Sequence, residues 1–249
     1  MRKIAVSLSK GGVGKTTTAV NLGVALSKSG QKVLLIDTDT QGQVSAMLGV
    51  EAKVGLAEVI TGQEKAKNAL IEARPNCWLL AGGRALAGVK RFIAQQEIGG
   101  ERMLQDSLSE IENDFDYILI DTSPGWDVLT VNALFYVQEI IVPASLDPLT
   151  LQGLIEFNKS VASIQKYNNK LQIKYLLPTF LDGRVKKSNE ILNQLTTHYQ
   201  PLVCNPIRYN TRLAESPAYK QTIFEYAPNS YGAIDYLCFA ERILNDGRA

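Results

Sequence analysis

Nine residues near the start of the chain, Ser9-Lys10-Gly11-Gly12-Val13-Gly14-Lys15-Thr16-Thr17, place the strongest constraint on its fold. An apolar run, Ile4-Ala5-Val6-Ser7-Leu8, leads into them, and a helix-patterned segment leaves from Thr17. Strand, glycine-rich turn and helix start, in that order, are the context of a phosphate-binding loop. Gly11, Gly12 and Gly14 let the backbone approach a phosphate closely, and its N–H groups join the helix N-terminus in facing the anion. In such a loop Lys15 reaches the β- and γ-phosphates and the Thr16 hydroxyl binds Mg²⁺. The common pattern has glycine where this chain has Ser9, and the variant carries its own mark, a second lysine at Lys10. A glycine-rich turn with solvated lysines is the plain alternative, and the strand, loop and helix in register argue against it. Lys10, Gly11, Gly12, Val13, Gly14, Lys15, Thr16 and Thr17 are the expected nucleotide-binding residues.

Downstream, short apolar segments alternate with helix-patterned ones, as in an α/β fold with a mostly parallel sheet. Residues 17–28 read as a helix closed by Gly30. Residues 32–36 read as a buried strand that ends in Asp37-Thr38-Asp39-Thr40-Gln41-Gly42-Gln43. In open α/β sheets ligands bind beyond the carboxyl ends of the strands, so Asp37 and Asp39 should emerge beside the loop. A further strand, 116–120, ends in Asp121 and runs into Thr122-Ser123-Pro124-Gly125-Trp126-Asp127. A strand-end aspartate of this kind holds Mg²⁺ in phosphate-loop ATPases, and the Pro-Gly turn after it can rearrange when a γ-phosphate is lost. More strands are expected at 77–81, 137–143, 172–178 and 203–207. Helices are expected at 100–113, at 148–167 with Leu151, Leu154, Ile155, Val161 and Ile164 on one face, and at 231–244. Residues 45–113 read as scaffold. No repeat or linker divides the chain, so residues 1–249 are expected to form one doubly wound domain with helices on both faces of its sheet.

Composition bounds the partners. A chain of 249 residues, 45% hydrophobic and 20% charged, can bury a large core, and a formal net charge of +1 marks no nucleic-acid or membrane binder. The distribution is less even. Residues 151–212 hold nine Lys/Arg against three Asp/Glu, which points to an anionic partner for this third of the chain. Arg184, Lys186 and Lys187 surround a turn and a helix start, where the helix dipole disfavours cations. Cys77, Cys204 and Cys238 are far apart and form no C-x-x-C, so a reducing cytoplasm is the expected location. No run reaches the roughly 18 apolar residues of a membrane span, and the loop follows too soon after Met1 for a signal peptide.

With both halves of the site placed, the chain resembles the ParA/MinD family of deviant Walker-box ATPases. The resemblance rests on Lys10-Gly-Gly-Val-Gly-Lys15-Thr-Thr, Asp37-x-Asp39-x-Gln41-Gly42, Ile118-x-Ile120-Asp121 with Pro124, and Arg212-Leu213-Ala214-Glu215-Ser216-Pro217. It implies a P-loop NTPase of the SIMIBI kind that takes ATP and Mg²⁺. It further implies that Lys10 crosses to the nucleotide of a second subunit in an ATP-sandwich homodimer. By the same carry-over Asp39 positions the attacking water, and Thr16 and Asp121 form the Mg²⁺ shell with Asp37 nearby. In the DNA-partitioning branch, residues at positions like Arg184 and Arg212 bind double-stranded DNA without sequence preference; Lys186 and Lys187 join them here on charge and proximity. A ParB-like or McdB-like partner would stimulate hydrolysis on the nucleoid. The cargo would be a plasmid, a chromosome region or a compartment such as the carboxysome. The chain departs from the family pattern at Thr40, where proline is usual, and at Ser123-Pro124-Gly125-Trp126, where two prolines are usual. No N-terminal helix-turn-helix extension is expected, which resembles the short form of the family.

Other readings fit the residues less well. A MinD-like membrane-cycling ATPase needs a basic amphipathic C-terminal helix; the tail from Cys238 has Arg242 and Arg248 balanced by Glu241 and Asp246. An iron–sulfur reductase sharing the loop needs paired cysteines. A GTPase needs N-K-x-D, which Asn158-Lys159-Ser160-Val161 does not supply. His198 is the sole histidine and sits in a polar helix end, which leaves triad chemistry little support.

Overall fold

The computed structural model describes residues 1–247. Arg248, part of the sequence argument on the tail, lies outside the described residues. The strands are β1 (Arg2–Val6), β2 (Val33–Asp37), β3 (Leu70–Arg74), β4 (Cys77–Leu80), β5 (Tyr117–Asp121), β6 (Glu139–Ser145) and β7 (Gln172–Thr179). The helices are α1 (Lys15–Lys28), α2 (Gln43–Leu48), α3 (Leu56–Ile60), α4 (Ala66–Ala69), α5 (Leu86–Ala94), α6 (Met103–Leu108) and α7 (Val128–Tyr136). They continue with α8 (Pro148–Gln165), α9 (Lys186–Tyr199), α10 (Thr211–Glu215), α11 (Ile223–Tyr226) and α12 (Tyr231–Asp246).

The seven strands form one sheet in the order β3-β4-β2-β5-β1-β6-β7. All pairings are parallel except β3 with β4. The central strands are apolar on both faces because both are covered. Ile4 and Val6, Val33 and Leu35, and Tyr117 and Leu119 face one core with α1, α2, α11 and α12. Ala5, Leu34 and Ile36, and Ile118 and Ile120 face the other, under α3 to α9. Period-two alternation thus divides each strand between two cores, each fully buried Ile or Leu contributing about 1.5–3 kcal/mol. Helix α1 packs close to the sheet: a Cβ on Gly23 would stand 2.7 Å from Leu35 Cδ2.

Four expectations change. Residues 203–207 form no strand; they follow the β7 edge through isolated bridges, Leu176 with Val203 and Leu181 with Arg208, and Pro206 lacks the N–H a ladder needs. The helix expected at 100–113 is broken into a 3₁₀ turn at Gly100–Arg102, α6, and a second 3₁₀ turn at Glu112–Asp114. Asn132 on α7 fixes that break, accepting from the Leu104 N–H and donating to Gly100 O. On α8, Ile155 is exposed, and Phe157 takes the buried place with Leu154, Val161 and Ile164. The edge strand β3 and helices α5 and α7 were not expected.

Candidate functional site

The carboxyl ends of β1, β2 and β5 meet at one cleft of about 480 Å³, walled by the loop after β1, by Asp39 to Gln43, and by Thr122 to Pro124. The loop is shaped by Gly12 (φ 73°) and Gly14 (φ 89°), both in the left-handed region that side chains disfavour. Val13 anchors it: the side chain is buried, and its carbonyl accepts from Thr179 Oγ1 at 3.0 Å. Gly14 is the N-cap of α1, so the first free N–H groups of that helix open onto the cleft. Lys15, the first residue of α1, is buried and donates to the Lys10 carbonyl at 2.8 Å, across the loop. Burial pulls its ammonium below the usual amine range, against the pull of Asp121 and Asp39. The loop is a preformed anion cradle with a desolvated cation at its base.

The carboxylates lie where the strand ends placed them. Asp37 and Asp121 are register partners on β2 and β5. Asp121 is buried, and neither carboxylate oxygen has a hydrogen-bond partner. Burial drives its proton affinity well above the ordinary carboxylate range and Asp37 adds to this, against the nearby Thr16 hydroxyl and Lys15 ammonium, which favour the ionised form. An orphaned buried carboxylate beside a phosphate cradle is the condition that a divalent cation relieves. Asp37 is otherwise engaged: Oδ1 accepts from Asp39 N at 2.8 Å and Oδ2 from Val44 N at 3.2 Å. It organises the turn after β2, and burial pushes it up to about 7, with Asp39 adding to the shift. Gly82 presses on this turn; a Cβ there would meet Asp37 O at 2.6 Å.

Thr16 donates to Gln43 Oε1 at 3.5 Å. Among the described residues, no group of three or more His, Cys, Asp or Glu is arranged to hold a metal. Mg²⁺ takes one or two carboxylates and completes its shell with phosphate and water; Asp121 and the Thr16 hydroxyl fit such a shell. Asp39 lines the cleft with one oxygen held by Gln41 N at 3.0 Å. Lys10 stands at the start of the loop, and its ammonium is held within its own chain. It lies 2.7 Å from both oxygens of Asp147 and 2.9 Å from Thr150 Oγ1. Burial works against ionisation of Asp147, yet Lys10, Ser145 and Thr150 outweigh it and hold that carboxyl at about 2.

A second pocket of about 210 Å³ shares Gly14, Thr17 and Phe180 with the cleft and continues to Ile207, Tyr209, Asn210 and Leu213. Its walls suit a flat, largely apolar ring attached to a phosphate chain. The sequence named no residue for this part, because its walls come from segments 179–180, 207–214 and 236. The scaffold stretch also supplies a residue that sequence reading passed over: Lys90 of α5 reaches the cleft wall. Its signal was present, since Leu86, Val89 and Ile93 recur at helical spacing.

The four cations of the expected DNA surface are exposed but mostly engaged. Arg184 makes a two-pronged contact with Asp182 (2.9 and 2.8 Å), Lys186 approaches Glu190 at 3.8 Å, and Arg212 pairs with Glu215 at 3.0 Å. Lys187 is exposed at the start of α9. Leu181 and Arg208 bridge the two loops, so Arg184 and Arg208 wall one shallow pocket. Arg208 lies over the Tyr231 ring at 4.0 Å and pairs with Asp235 at 2.6 Å.

Known proteins share this architecture. A family described as an AAA domain matches residues 1–173. The chain is similar to the chromosome-partitioning ATPase Soj of Thermus thermophilus, 32% identical over 246 residues that cover 98% of this chain and 96% of that protein. It is 31% identical to the chromosome partitioning protein ParA of Caulobacter vibrioides over 256 residues, covering 100% and 96% of the two chains. Among solved structures, cobyrinic acid a,c-diamide synthase from Mycobacterium smegmatis, with a bound ATP analog and magnesium, superposes with a TM-score of 0.87. It is 31% identical, over 100% of this chain and 96% of that one.

Proposed function

The chain belongs to the ParA/MinD family of deviant Walker-box ATPases, and on that premise we propose that it is a positioning ATPase acting as one domain. In this reading an ATP-bound homodimer holds DNA without sequence preference, and a partner protein triggers hydrolysis and release from the DNA, which segregates or spaces a cargo such as a plasmid, a chromosome region or a protein compartment. ATP binding and hydrolysis with Mg²⁺ belong to the family, and the cradle of Gly11 to Thr17 with the orphaned Asp121 fits both. ATP with Mg²⁺ supplies the transferable γ-phosphoryl group. Lys15 holds its phosphates, Thr16 and Asp121 hold the metal with Asp37 bracing the turn, and Asp39 orients the attacking water. Lys10 leaves Asp147 to reach the partner subunit's nucleotide, neutralising charge in trans as an arginine finger does.

One observation carries the reading: Lys10 opens the loop, yet its ammonium rests on the helix-capping Asp147 and does not turn into the cradle as Lys15 does. The DNA surface is assigned to the exposed cations Arg184, Lys186, Lys187 and Arg212; a phosphate backbone would have to displace the carboxylate neighbours of Arg184, Lys186 and Arg212. The membrane alternative is disfavoured by α12, which buries Ala233, Tyr236, Phe239, Ala240 and Ile243 in the core and leaves Tyr231, Ile234 and Leu237 exposed, with no cluster of cations beside them among the described residues. Arg242 on that helix donates to the carbonyls of Val203 and Pro201. Among the described residues no helix is long and apolar enough to cross a membrane.

Binding to random-sequence DNA without nucleotide, with ADP and with ATP, across a salt series, tests the proposal. Binding with ATP alone and a steep loss of affinity with salt are expected. Binding that ignores nucleotide, or no binding in any state, would reject the DNA-positioning reading.

A further inference from the structure

We infer that Lys90 is a positioning residue for the ATPase reaction: through Asp127 it holds the segment after β5, and with it Ser123, against the nucleotide cleft. The inference rests on the ATPase reading of the site. Helix α5 is fixed to the core by Leu86, Val89 and Ile93, so Lys90 projects from a rigid base. Its ammonium lies 2.6 Å from Asp127 Oδ2.

Asp127 divides its two oxygens between two tasks. Oδ1 caps α7, accepting from Leu129 N at 3.0 Å and Thr130 N at 2.9 Å. Oδ2 takes Lys90 and the Ser123 hydroxyl, the latter at 3.1 Å. One carboxylate therefore ties three pieces: a helix packed beside the cleft, the helix α7, and the segment between β5 and α7. Between Ser123 and Asp127 the chain turns at Gly125 (φ 109°) and has no regular structure of its own, so its position depends on such ties. Lys90 and Ser123 both line the cleft beside Asp39, where hydrolysis takes place. Burial favours the neutral acid at Asp127, but Lys90, the Thr130 amide and Ser123 keep it below the ordinary carboxylate range. The tie is therefore ionic at neutral pH.

The division of oxygens makes a clean test. Asp127→Asn keeps an oxygen for the α7 cap and loses the acceptor for Lys90. Lys90→Gln loses the ion pair from the other side, and Lys90→Arg restores it. ATP turnover, ATP affinity and melting temperature are measured for these variants and for the Lys90→Gln/Asp127→Asn double. Lys90→Gln and Asp127→Asn should each lower kcat roughly three- to tenfold, the effect of one partly screened charge-assisted hydrogen bond. ATP affinity should stay within twofold. The double should be no worse than either single change, and Lys90→Arg should recover most of the rate.

Unchanged kcat, or losses that multiply in the double variant, would overturn the inference. So would weakened ATP binding in Lys90→Gln alone, which would make Lys90 a phosphate ligand. A parent protein that binds ATP without turnover would instead count against the ATPase reading. Acrylamide quenching of Trp126, in a Trp78→Phe background without nucleotide, then decides the inference separately. Quenching should rise in Lys90→Gln and Asp127→Asn and return with Lys90→Arg; equal quenching in all would reject the tie.

Discussion

Replacing Asp147 by Asn isolates the grip that holds Lys10 out of play. Lys10 Nζ meets both Asp147 oxygens at 2.7 Å, but the side chains are 28% and 40% exposed, so solvent screens the pair. Bare Coulomb attraction at 2.7 Å is about 6 kcal/mol at an effective dielectric of 20, whereas exposed pairs measure about 0.2–1 kcal/mol. The two bonds and the added Thr150 contact put this pair at the upper end, about 1 kcal/mol, or roughly fivefold in an equilibrium. Two lysines leave their aspartates when two chains join, so the ATP-dependent dimer of Asp147→Asn should tighten roughly 25-fold. Asn caps a helix as well as Asp does, so the α8 N-terminus should survive and the melting temperature should move little. Sedimentation with Mg²⁺ and ATP, in an Asp39→Ala background to prevent turnover, reads the association constant. A dimer of unchanged or lower affinity would refute the view that Lys10 must leave Asp147 for the chains to join.

Asp39→Ala should retain ATP and lose turnover by at least tenfold, because Asp39 lines the cleft while the cradle is built from other residues; nucleotide affinity and phosphate release measured together check this. Gly23→Ala places a methyl 2.7 Å from Leu35 Cδ2 in a filled core, and should cost about 1–3 kcal/mol by chemical denaturation. Without metal and nucleotide, stability should fall as pH rises between about 4 and 7. Over that window Asp37, at about 7, keeps a proton that the unfolded chain, with an ordinary carboxyl near 3.8, has released. The slope is about 1.4 kcal/mol per pH unit for each retained proton. Melting curves across that range should show it, and Mg²⁺ with ATP should reduce it by favouring the ionised carboxylates.

The loop, the two strand-end aspartates and the central strands were legible because each is a local pattern. Glycines at 11, 12 and 14 and the lysine after them act within one turn, and an apolar run such as Val33–Ile36 needs no partner to be read as buried. Other elements depend on what lies across from them. The break in the 100–113 helix is set by Asn132, more than twenty residues away. Residues 203–207 look like a strand because they are apolar, but they only hug the edge of β7. Ile155 and Phe157 both fit a helical apolar stripe, and only the packing of α8 chooses between them.

The site divides in the same way. Sequence alone determined that this chain binds a nucleotide phosphate and which side chains stand nearest it, since a βα turn carries its own chemistry. Tertiary structure decided that Asp121 is left without a partner and that Asp37 spends its oxygens on the backbone. It also decided that Lys10 rests on Asp147 and that Lys90 reaches the cleft from a helix far along the chain. These are properties of distance and desolvation, which arise only when the sheet brings separate strand ends together and excludes water between them.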